Sequence, residues 1–134
     1  MTNPEWVSGV LAGLVQMPGF VRARLTYKTT GAGMSMSEHW RAITAGQPLG
    51  GFDIPERGVR ELDVVGWGFA PAKQCGPVEL MGTVTLLMKN SGVDVPDVVV
   101  KTEDQGKGEC LYRIDIAPGK QFAPAVDDDP PARF

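Results

Sequence analysis

Trp6, Val7, Val10, Leu11, Leu14 and Val15 recur at the three- and four-residue spacing of a single helical face. Asn3-Pro4 ahead of them suits a helix start, because an Asn side chain accepts from the first free amides and a first-turn proline loses no bond. The opposite side carries Ser8, Gly9, Ala12 and Gly13. Each interior glycine costs a helix about 1 kcal/mol relative to alanine, so close packing must offset the loss. That packing is either against the protein's own sheet or across a subunit interface, for which Gly9 and Gly13 are the candidate residues.

The next pattern is strict alternation. From Phe20 to Thr29, Val21, Ala23, Leu25 and Tyr27 share one parity and Phe20, Arg22, Arg24, Thr26 and Lys28 the other, which predicts a half-buried strand. After the turn Gly31-Ala32-Gly33, Ser35 with Glu38 three residues later has the form of a capping box. A second helix is therefore expected from Met36 to Ala45, followed by an irregular loop over residues 47–58. Val59 to Ala70 reads as a strand whose apolar parity changes, from Leu62 and Val64 to Val65, Trp67 and Phe69, and so implies a bulge near Gly66. Val78, Leu80, Val84, Leu86 and Met88 share a parity and predict a third strand. Asp97 to Glu103 and Glu109 to Ala117 predict two more, joined by the loop Gln105-Gly106-Lys107-Gly108.

The expected architecture is α+β in the order α-β-α-β-β-β-β, with two short helices on one face of a curved, five-stranded, mostly antiparallel sheet. Residues 1–120 form one globular domain, and residues 121–134, rich in Pro and Asp, a flexible tail. The order is compatible with hotdog-like and cystatin-like arrangements, a likeness of topology that carries no functional argument.

Composition narrows the function classes. The length of 134 residues fits one core, and 43% hydrophobic with 22% charged residues is the balance of a soluble globular chain. The net charge is −3, and without the segment from Gln121 onward 13 acids face 12 bases. Such a body exerts no overall pull on nucleic acid or anionic lipid. The stretch Trp6 to Met17 lacks a basic lead and is too short to span a membrane, so the expected location is cytoplasmic. Two cysteines 35 positions apart and one histidine do not make a zinc site, and no metal or cofactor is expected. In a simple meander of the last strands, Cys75 and Cys110 lie about two strand spacings of ~4.8 Å apart, so both thiols are expected to be free.

Chemistry is sparse. The junction from Thr29 to Ser37 could present free amides and a helix dipole to an anion, with Gly31, Gly33, Ser35 and Ser37 as ligands and Trp40 and Trp67 as walls. It has neither the G-K-[ST] ending of a P-loop nor a full dinucleotide fingerprint. His39, beside Glu38, is the candidate general base, with Asp53, Glu61 or Asp63 as its orienting acid. Arg22, Arg24 and Lys28 form a basic stripe that, with Phe20, suggests a single-strand nucleic-acid platform, although cross-strand pairing with Glu61, Asp63 or Asp115 is the commoner use of such a stripe. The acidic tail, Val126 to Phe134, with Asp127-Asp128-Asp129 and the ending Pro130-Pro131-Ala132-Arg133-Phe134, is either a solubilising end or a docking peptide that a protein partner recognises by its terminal carboxylate and aromatic ring. Two readings follow. The first is a non-catalytic interaction or assembly module acting as a homo-oligomer. The second is a small-molecule-binding protein or hotdog-like enzyme with an anion or acyl-thioester pocket at the start of the second helix.

Overall fold

Thr2 begins the first helix by closing a capping box. Its hydroxyl accepts from the Glu5 amide at 3.2 Å while the Glu5 carboxylate accepts from the Thr2 amide at 2.8 Å. The cap is thus one residue earlier than Asn3, which becomes the first helical residue and is buried. In this computed structural model the described residues are 2–30, 36–44, 54, 59–94 and 96–118, and for residues 29, 30, 36–44 and 60 the description is of the backbone alone. Helix α1 (Asn3–Leu14) buries Trp6, Val7, Val10, Leu11 and Leu14 completely.

Strand β1 (Phe20–Thr30) follows the predicted alternation, with Ala23, Leu25 and Tyr27 buried. The first correction comes next. Met36–Thr44 is not a helix but strand β2, in continuous antiparallel register with β1 from Thr30↔Met36 to Arg22↔Thr44. The Ser35/Glu38 spacing implied a cap, but nine backbone pairs along β1 outweigh a short amphipathic turn of marginal propensity. Strand β3 (Val59–Pro71) lies on the other side of β1.

The second correction is the mirror of the first. Pro77–Asn90 forms helix α2, where a strand was expected. Residues 80, 84 and 88 satisfy both a period of two and a helical spacing of four, and exposure decides between them. Leu80, Val84 and Met88 are buried, whereas Val78 is 84% and Leu86 57% exposed. Pro77 sits in the first turn and Glu79 beside the positive helix end. A Schellman motif stops the helix: the Val93 amide donates to the Met88 carbonyl at 2.9 Å and the Gly92 amide to Lys89 at 3.1 Å, with Gly92 at φ +82°. Strands β4 (Asp97–Asp104) and β5 (Glu109–Ala117) form a hairpin, as expected.

The element order is therefore α-β-β-β-α-β-β. Four of the expected strands are present, and β2 takes the place of the expected second helix. The sheet runs β2-β1-β3-β5-β4 and every pair is antiparallel. Helix α2 carries the chain past one position, so β3 and β4 run parallel with β5 inserted between them.

This insertion overturns the free-thiol expectation. Because β5 pairs directly with β3, Cys110 registers with Ala70, and the short 3₁₀ turn Ala72–Gln74 brings Cys75 back to within 6.3 Å Cα to Cα. Cys75 and Cys110 form a disulfide.

Both helices cover the same face of the sheet. The core joins α1 and α2 to Ala23, Leu25, Tyr27, Leu62, Val64, Ala70, Cys110, Tyr112, Ile114 and Ile116. Gly9 and Gly13 meet the end of α2: a Cβ on Gly9 would stand 2.8 Å from Val93 Cγ2, and one on Gly13 would collide with Met88 Cε. Gly66 and Gly68 are also on the covered face, the first beneath Leu14 and the second beneath the Tyr112 phenol. The parity change in β3 is accordingly not a bulge at Gly66. The inward positions continue as glycines because α1 and Tyr112 occupy the space, and the register shifts lie elsewhere, between Phe20 and Arg22 and between Thr26 and Lys28.

Candidate functional site

With the helices on one side, Val65, Trp67 and Phe69 stand on the open face of the sheet. The β1 and β5 registers place Arg22 and Arg113 on either side of Trp67, and Arg24 and Asp115 on either side of Val65. Three guanidinium groups surround one indole: the Cζ atoms of Arg22, Arg24 and Arg113 lie 5.0, 5.4 and 5.5 Å from the Trp67 ring centroid. Each is within the range of a cation–π contact. Beneath them Val65 is only 1% exposed.

The cations of this face are unevenly neutralised. Arg113 Nε donates to Asp115 Oδ1 at 2.9 Å, a bond that raises the Arg113 pKa and keeps it charged. Lys28 pairs with Glu61 at 3.1 Å, one of the cross-strand partners expected of the basic stripe. Among the described residues Arg22 and Arg24 form no ion pair, and the buried Nε of Arg24 has no hydrogen-bond acceptor. Asp63, near Arg24, has its carboxyl held above the usual range. Burial is the main cause and Asp115 the second, with Arg24 and Arg113 pulling the other way.

Two shallow depressions flank the cluster. One of about 440 Å³ is lined by Arg24, Thr26, Lys28, Glu61, Asp63 and Ala117. The other, about 340 Å³, is lined by Trp67, Lys101, Thr102, Glu103, Leu111 and Arg113. Among the described residues the open face offers the Trp67 and Phe69 rings and several cationic donors, a set suited to holding a planar or carboxylate-bearing group.

A second surface adjoins it. Strand β4 pairs with β5 alone among the described strands, which leaves its outer backbone groups without a strand partner. The edge reads Asp97-Val98-Val99-Val100-Lys101, with Val99 52% exposed.

The sequence-predicted site residues scatter over this frame. Trp67 is central to the open face. Trp40 registers with Thr26, four positions along β1 from Arg22, while Ser37 registers with Thr29 and His39 with Tyr27. Gly31, Gly33 and Ser35 lie outside the described residues, as do Asp53 and the tail. The expected anion pocket required a helix beginning at Met36, and a strand begins there instead. Phe20 packs against the core and not with the basic stripe. Gly9 and Gly13 face α2 of the same chain. Sequence reading named Trp67 but missed Arg113 and Val65 beside it. The signal for Val65 was present in the second apolar parity of β3, opposite Gly66 and Gly68. Among the described residues no group of three or more His, Cys, Asp or Glu could hold a metal, and no helix is long and apolar enough to cross a membrane. No protein-family model, curated protein or solved structure matches this chain.

Proposed function

We propose that this chain is a non-catalytic interaction and assembly module that works as a homo-oligomer, joined by antiparallel pairing of two β4 edges. The observation that carries the reading is the self-complementarity of that edge. Centred on Val99, a two-fold pairing sets Asp97 of each copy opposite Lys101 of the other and Val98 opposite Val100. Both ends gain an opposite-charge pair and the middle gains three apolar ones. Edges that avoid partners usually carry charged side chains, Pro or bulges along their length, and here the centre is three consecutive valines with Val99 exposed between two that pack on the core. In β2, the other outer strand, the two-fold register that sets Glu38 opposite Arg41 puts His39 opposite Trp40, so it lacks the run of apolar pairs that β4 gains.

The disulfide bears on where the module acts. Such bonds persist in oxidising compartments and are rare as structural elements in the reducing cytosol. Cys75–Cys110 therefore supports a site of action outside the cytosol, in place of the cytoplasmic location expected from the stretch Trp6 to Met17.

The test is solution mass by light scattering across a dilution series. Wild type should exceed 14.4 kDa and approach twice that value, Lys101→Asp should be monomeric, and the exchange D97K/K101D should restore association. A monomer at every concentration, or a dimer indifferent to Lys101→Asp, would refute the β4 interface.

A further inference from the structure

We infer that the arginine–tryptophan face is a carboxylate-binding site, and that its resident ligand is the acidic tail of the same chain, Asp127-Asp128-Asp129. This inference does not rest on β4 pairing.

The first support is unspent charge. Arg22 and Arg24 stand over Trp67 without an ion pair among the described residues, and the buried Nε–H of Arg24 lacks an acceptor. A buried donor without an acceptor is the exception in folded proteins, and a carboxylate is the natural acceptor for a guanidinium fork. The second is position. Strand β5 ends at Ala117, which lines the same depression as Arg24 and Lys28, so the chain leaves the described fold at the border of the site.

Reach is the third. From Ala117 the level of Arg113 is four residues back along β5, about 13 Å, and β1 is two strands across, about 10 Å. The diagonal is roughly 17 Å. The ten residues from Pro118 to Asp127 can extend to about 33 Å, enough to cross with slack. The last support is complementarity. The consecutive carboxylates of the tail match the guanidinium groups of Arg22 and Arg24, which form no ion pair among the described residues. A tethered ligand also gains the high effective concentration of a short linker, so weak individual contacts suffice.

The test uses the full-length chain, isotopically labelled, at low salt. The indole N–H resonance of Trp67, assigned with Trp67→Phe, is compared between wild type and D127N/D128N/D129N, whose changes lie outside the described residues. The resonance should move in the triple variant. About 1 M salt, where the screening length falls to roughly 3 Å, should move the wild-type resonance to the same place. The difference should be independent of protein concentration and should persist in the Lys101→Asp background, which separates it from any effect of β4 association. Superimposable spectra of wild type and triple variant at low salt would overturn the inference. A difference that disappears on dilution would overturn it as well, since the tail would then be reaching a second copy.

Discussion

Removing the Cys75–Cys110 link is the sharpest perturbation this fold offers. The bond closes a loop of 35 residues that contains all of α2, all of β4 and the start of β5. Cross-linking a loop of that size restricts the unfolded chain by about 13 cal/mol/K, equivalent to about 3.8 kcal/mol at 25 °C. Both cysteines are buried and belong to the core, so the native state retains its packing around C75A/C110A apart from two lost sulfurs. Urea unfolding followed by tryptophan emission should therefore show the double variant, and wild type under reductant, about 3–4 kcal/mol less stable than the oxidised protein. For a chain of this length that corresponds to a melting temperature lower by on the order of 10–15 °C. Intact mass without reductant should fall two hydrogens short of the fully reduced value. Two titratable thiols in the native protein, or a stability difference below about 1 kcal/mol at unchanged denaturant slope, would refute the link and with it the β3–β5 pairing that brings the two residues together.

Four further outcomes are expected. Asp63 is held above its ordinary value of 3.8, so its ionisation opposes folding and that cost appears as pH rises through its folded pKa; Asp63→Asn should raise the melting temperature at neutral pH, with the gain disappearing below about pH 4, and a gain that persists in acid would contradict this. Burial pushes the Tyr112 phenol, which donates to the Pro18 carbonyl at 2.7 Å, up to about 12; ultraviolet titration, assigned by comparison with Tyr112→Phe, should find this phenol ionising late, and stability should fall as pH rises from 10 through 12. Gly82, mid-helix in α2 with nothing near its Cβ position, should gain about 0.4–1 kcal/mol as alanine. Gly68→Ala should instead cost roughly 1–3 kcal/mol in the same denaturant assay, because its Cβ would meet the Tyr112 ring and the Gly19 carbonyl.

Where the hydrophobic pattern had one periodic explanation, it located the element. The stripe of α1, the alternation of β1 and the β4–β5 hairpin were all legible. Where two periods fitted the same residues, local signals were insufficient. Leu80, Val84 and Met88 satisfy sheet and helix alike, and only packing against α1 separates them. At Met36–Thr44 a plausible cap lost to a long run of backbone pairing, a tertiary effect with no local trace beyond the glycine-rich connection. The site was half legible. The basic stripe and Trp67 were visible, but Arg113 joins them only because β5 returns beside β3. The parity change in β3 was visible too, and its cause was steric: Leu14 and Tyr112 leave no room for side chains at residues 66 and 68.

The placement of β5 between β3 and β4 governs how the molecule can be made. On a ribosome, the strand that links the two halves of the sheet is the last of the described elements to emerge, so α2 and β4 must wait without their central neighbour until residue 117 is free. Folding of the whole sheet is consequently held until translation of this region is finished. A stop codon anywhere upstream of Glu109 would remove the keystone rather than trim a border.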